Sequence, residues 1–124
     1  MARAKRRSEP TEDQLQQSVA EFLDLALPPQ AIWFHTPNGG SRNVIEAAKL
    51  KRMGVKRGVP DIYIAYGDET FWVELKTLTG TLSKEQEEFR VHALVLGHRW
   101  ACVRTMFRLQ DVLESWGIPL KVRC

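Results

Sequence analysis

The chain is 124 residues long, 44% hydrophobic and 27% charged with a formal net charge of +3, which suits one soluble globular domain able to bury about two thirds of the surface its unfolded chain would expose. No apolar run approaches the roughly 18 residues of a membrane span, and no apolar stretch follows the basic N-terminus "MARAKRRSEP", so neither a membrane nor a secreted protein is expected and the cytoplasm is the expected compartment. Cys102 and Cys124 lack Cys-x-x-Cys spacing, and His35, His92 and His98 lack His-Glu-x-x-His spacing, which leaves a disulfide scaffold and zinc hydrolase chemistry without support.

Residues 1–10 hold four basic side chains against Glu9 and account for the whole charge excess, since the two signs balance from residue 11 onward. They are read as a basic flexible tail, followed by a single domain over 11–124. Thr11 with Gln14 forms a capping box, and Leu15, Val19, Phe22 and Ala26 follow at helical spacing, predicting a helix over 12–26. Pro28-Pro29 ends it, and "AIWFH" reads as a strand over 31–35 before the turn signals of "TPNGGS". A second helix is expected over 43–53, with Gly54 as its C-terminal stop.

Two strands, 60–66 and 70–77, surround Gly67-Asp68. Ser83 with Gln86 makes another capping box, opening a helix that runs to Gly97. "RWACV" is a strand over 99–103, and Thr105 caps a last helix ending near Trp116-Gly117. The order αβαββαβα predicts an α/β fold, a mixed sheet flanked by helices.

Strand side chains alternate between faces, which puts Asp61, Tyr63 and Ala65 on one side and Ile62 and Ile64 on the other. On the following strand Trp72, Glu74 and Lys76 alternate with Phe71, Val73 and Leu75, so one hairpin face is purely apolar. If Gly67-Asp68 is a two-residue turn, Tyr66 pairs with Glu69 and Asp61 stands opposite Glu74. A four-residue loop would make the two acids diagonal neighbours, and only an odd loop would separate them. Opposed carboxylates repel unless a cation intervenes. Lys76 on the same face supplies part of the compensation. A hard divalent ion held by Asp61, Glu74 and a backbone carbonyl such as that of Leu75 would supply more, and this donor set suits Mg²⁺ or Mn²⁺. From the hairpin alone, a cross-strand Asp–Lys pair on a solvated sheet face is the simpler account.

Glu12 falls on the inward stripe of the first helix with Leu15 and Val19, where it either joins the acids or serves as a first-turn acid favoured by the helix dipole. Gln16, one turn on, is a candidate support for the same cluster. Residues 42–57 gather Arg42, Lys49, Lys51, Arg52, Lys56 and Arg57 against Glu46 alone, which suggests a polyanionic partner or simply a solvated helix face.

With these residues in view, "HTPNGGSRNVIEAAKLKRMGVKRGVPD" joined to "WVELKTLTGTLSKEQEEF" resembles the VRR-NUC branch of the PD-(D/E)XK nucleases over about residues 11–104. The resemblance implies a restriction-endonuclease-like core and Mg²⁺-dependent cleavage of DNA phosphodiesters, with Mn²⁺ able to substitute. Asp61 and Glu74 match the family's metal-binding acids, Lys76 its catalytic lysine, Glu12 its first-helix acid, and Gln86 a glutamine found after the catalytic strand, although the capping box alone would explain Gln86. Stand-alone members are similar to Holliday-junction resolvases and act as homodimers in bacterial or phage-infected cells, so branched or four-way DNA is the implied partner. Lys51, Arg52, Lys56 and Arg57 are expected to meet phosphates, with Asn38 and His35 of the polar loop near the duplex. The alternatives are a noncatalytic DNA-binding or assembly module of the same fold and a nuclease acting on RNA.

Overall fold

A computed structural model describes residues 9–37 and 43–124. The remainder of the expected basic tail, together with Asn38 and Arg42, lies outside the described residues. The elements run α1 (Glu12–Ala26), β1 (Ile32–His35), α2 (Val44–Arg52), β2 (Ile62–Tyr66), β3 (Glu69–Leu75), α3 (Lys84–Val95), β4 (Arg99–Val103) and α4 (Met106–Ser115). This is the expected order, and the boundaries move by one or two residues from those read from the sequence.

The four strands lie side by side in chain order, antiparallel from β1 to β3, with β4 added parallel to β3. Gly67 takes a φ of +62°, the left-handed conformation that a two-residue hairpin turn demands of its first residue, so Tyr66 faces Glu69 and Ile62 faces Val73. That register sends Ile62, Ile64, Phe71, Val73 and Leu75 to one face, where each is at most 1% exposed. Leu15, Val19, Phe22, Leu23 and Ala26 of α1 and Leu109, Val112 and Leu113 of α4 cover them in a single core. Val112 and Leu113 belong to this core, and Trp116 packs against it.

The other sheet face carries Tyr63 and Trp72, and α3 lies over its β3–β4 half. Phe89 of α3 meets the Trp72 ring edge-on at 5.0 Å, and the Arg90 guanidinium lies 5.9 Å over Trp100. On the β1–β2 half, Phe34 stacks on Tyr63 with ring centroids 4.9 Å apart. α2 buries no residue at all; it stands as a wall rather than as part of the core. Among the described residues no helix is long and apolar enough to cross a membrane.

The contrast between core and wall gives a stability test. Leu113→Ala should cost about 2–5 kcal/mol in urea unfolding, whereas Ile45→Ala on α2, where Ile45 is 84% exposed, should stay within about 0.5 kcal/mol of the parent.

Candidate active site

Asp61 closes the loop that leads into β2, and Glu74 is the last but one residue of β3. The hairpin pairing ends at Ile62↔Val73, and Asp61 and Glu74 are the next residues on the two sides. Asp61 Oδ2 accepts from the Leu75 amide at 2.8 Å, which fixes its carboxylate across the strand gap. Its main-chain carbonyl accepts from the Thr36 amide at 2.8 Å and pairs with His35 Nδ1 at the same distance, while the Thr36 hydroxyl donates to the Pro60 carbonyl. The end of β1 thus clamps the Pro60–Asp61 backbone.

One oxygen from each of Glu12, Asp61 and Glu74 lies within 4.8 Å of the other two. Glu12 arrives from the first turn of α1 and remains exposed, whereas Asp61 is 7% and Glu74 1% exposed. Glu74 Oε1 accepts from Gln86 Nε2 at 3.0 Å and lies 4.0 Å from Lys76 Nζ. Glu74 Oε2 is buried and receives no hydrogen bond from a protein donor. A buried carboxylate with one oxygen that no donor reaches, grouped with two further carboxylates, is an arrangement that a hard cation would satisfy and that neutral packing would not. The donor set therefore fits a divalent metal ion held by Glu12, Asp61 and Glu74.

Burial is the main cause that pushes Glu74 up to about 9; the negative charge of Asp61 and a side-chain hydrogen bond shared with it push the same way, and Lys76 opposes them. Without a cation, Glu74 therefore holds a proton at neutral pH. Cys102 sits opposite Glu74 on β4, and burial raises its thiol above the ordinary range despite the lowering effect of Arg104. It is a thiol rather than a thiolate at neutral pH, and not a nucleophile.

A cavity of about 960 Å³ opens in front of Glu12 and Glu74, while Asp61 stands behind its lining. Glu12, Glu74, Lys76, Ser83 and Gln86 line its floor, and Val44, Ala47, Ala48 and Lys51 of α2 with Lys56 and Arg57 of the following loop form its wall. Of the residues proposed from the sequence to meet phosphates, Lys51, Lys56 and Arg57 face this space, while Arg52 does not line it. His35 also lies off the cavity lining, with Nδ1 on the Asp61 backbone. Gln16 is half-buried but does not line the cavity.

Gln86 performs both of the roles considered for it. Its Oε1 accepts from the Ser83 amide at 2.8 Å, completing the α3 capping box, and its Nε2 holds Glu74. Arg104 was not anticipated: its Nη1 donates to the carbonyls of Thr77 at 2.5 Å and Gly80 at 2.6 Å, pinning the loop that follows Lys76. Its signal in the sequence is only that of an ordinary strand end, because its partners are backbone atoms of a distant loop.

No protein-family model matches the chain, and no curated protein matches it. A solved structure described as a VRR_NUC domain protein superposes with a TM-score of 0.68 at 24% sequence identity, covering 89% of this chain and 90% of that one. The two share a fold. That fold is a mixed four-stranded sheet flanked by helices.

The raised Glu74 pKa fixes the sign of two pH effects. In protein free of divalent ions, the stability linked to the Glu74 proton is complete below about 4.5 and is lost as pH climbs toward about 9. Glu74→Gln, which needs no proton, should match the parent near pH 4.5 and exceed its Tm by about 5 °C or more at pH 9, measured by thermal scans. A divalent ion competes with the same proton, so Mn²⁺ affinity measured by calorimetry should rise from pH 6 to pH 9.

Proposed function

We propose that the protein is a metal-dependent nuclease that hydrolyses DNA phosphodiester bonds with Mg²⁺, or Mn²⁺ in its place, and that it acts as a homodimer on branched DNA of the four-way type. The observation that carries this reading is the buried Glu74, which has one oxygen that no protein donor reaches and lies in a group of three carboxylates beside a cavity with a basic wall. The fold shared with a VRR_NUC domain protein supports it, as does the acid-x-Lys triplet at residues 74–76.

Glu12, Asp61, Glu74 and the Leu75 carbonyl would hold the ion. When bound, a divalent ion polarises a phosphate oxygen and lowers the pKa of water. The chain's own contribution is positional and electrostatic. Lys76, 15% exposed and held 4.0 Å from Glu74, keeps its ammonium at the cavity floor, where it offsets negative charge growing on the phosphorus oxygens and orients the attacking water. Asp61 is prevented from swinging away by the Leu75 amide, and Glu74 by Gln86. Lys51, Lys56 and Arg57 bind flanking phosphates, which contributes affinity without reading sequence. A two-fold dimer would present two equivalent sites to matching strands of a junction.

Asp61→Ala and Glu74→Ala should each reduce cleavage by about 1,000-fold or more, and Lys76→Ala by about 100-fold, with DNA binding retained. The measurement is cleavage of flaps, forks, four-way junctions, plain duplex and duplex RNA, each with Mg²⁺ and with EDTA. A noncatalytic DNA-binding module would bind but cut none of them, and an RNA nuclease would cut only the last. Replacing Lys51, Lys56 and Arg57 together by Ala should flatten the salt dependence of DNA binding by about 0.9 in log–log slope for each phosphate that the chain no longer neutralises.

A further inference from the structure

Gly58 stands where the basic loop, the approach to β2 and the first turn of α3 meet. Its φ is +82°, and a Cβ at this position would lie 2.3 Å from the Glu85 carbonyl oxygen, 2.5 Å from the Glu85 carbonyl carbon and 2.9 Å from the Gln86 amide nitrogen. All three are backbone atoms of a helix turn, which cannot swing aside as the end of a long side chain can. Buried Pro60 and then Asp61 follow Gly58 closely in the chain. On the other side of the contact, Gln86 reaches from its backbone position to Glu74 Oε1 at 3.0 Å. The segment that carries one acid and the helix that restrains the other are therefore joined at one backbone-to-backbone contact, available only to a residue without a side chain.

We propose that Gly58 is a positioning residue for the acid cluster. By letting the loop lie directly on α3, it sets how far the Asp61 segment stands from the Gln86 amide, and hence the spacing of the Asp61 and Glu74 carboxylates. Lys56 and Arg57 immediately precede it, so the phosphate-binding wall is referenced to the same contact. A carbon atom needs about 3.5 Å from a non-bonded neighbour, so alanine at position 58 must push the start of α3 away by about 1 Å. A misplacement of that size can cost about 100-fold in rate. Only the activity part of this inference rests on the nuclease reading.

The test compares Gly58→Ala with Gly97→Ala and Gly54→Ala. Those two glycines also have positive φ, +81° and +98°, but a Cβ added at either would meet nothing within 4 Å. All three variants carry the backbone strain of a left-handed alanine and should lose some Tm. Only Gly58→Ala should shift the NMR resonances of the Gln86 side-chain amide and the Leu75 backbone amide in metal-free protein. It alone should weaken Mn²⁺ binding by about 10-fold or more, and lower kcat at saturating metal by about 10–100-fold. If its resonances and Mn²⁺ affinity match those of Gly97→Ala, the proposal is overturned whatever the protein cuts. If the parent cuts nothing while Gly58→Ala still shifts both resonances, the positioning role stands and the nuclease reading falls. Should Gly58→Ala not fold, the parent decides: a nuclear Overhauser effect between the Gly58 α-protons and the Gln86 amide proton supports the proposal, and its absence overturns it.

Discussion

The site depends on one costly fact, a carboxylate on an inner strand that is 1% exposed. Taking an ionised carboxyl out of water is expensive, and the protein must either leave it protonated or offer it a cation. Lys76, 4.0 Å from its Oε1, offsets only part of that cost, and Asp61 beside it raises the cost further. One oxygen is engaged by Gln86 and Lys76, and the other receives no donor from the protein. Replacement by an uncharged residue would relieve the burial penalty, so the acid is explained by what it can bind rather than by what it adds to stability.

The remainder of the fold makes that arrangement rigid. The apolar hairpin face is locked against α1 and α4, so the residues between, Asp61 and Glu74 among them, are held by a sheet that cannot rotate without opening the core. The first turns of two helices then reach the same spot, α1 bringing Glu12 and α3 bringing Gln86. Helix starts carry partial positive charge, which favours carboxylates there. α2 contributes to the cavity wall without entering the core, which leaves its outward-facing cations to serve the surface.

Much of this was legible in the sequence because the relevant interactions are local. The Gly67-Asp68 turn and strict alternation were enough to set the hairpin register up to Ile62 and Val73, next to Asp61 and Glu74, and the Thr11 and Ser83 capping boxes marked two helix starts. Helical periodicity aimed Glu12 inward. What local rules did not supply was the second bond of Gln86, whose amide has two ends: the cap uses one, and whether the other meets a partner depends on where β3 lies. His35 and Arg52 looked available for nucleic acid because both are polar and near basic or flexible sequence. His35 instead lies against the Asp61 backbone, and Arg52 is off the cavity lining, since helical rotation in α2 directs Lys51 there.

The sequence by itself therefore determined the elements, their order, the apolar face of the hairpin and the pairing of two acids, because turn chemistry and side-chain period act over a few residues and need no knowledge of the whole. Tertiary structure alone decided how deeply Glu74 is buried, that one of its oxygens is reached by no protein donor, and that Gly58 touches the backbone of α3. Desolvation and close approach are properties of the space between segments distant in the chain, and that space exists only once the sheet and its helices have packed.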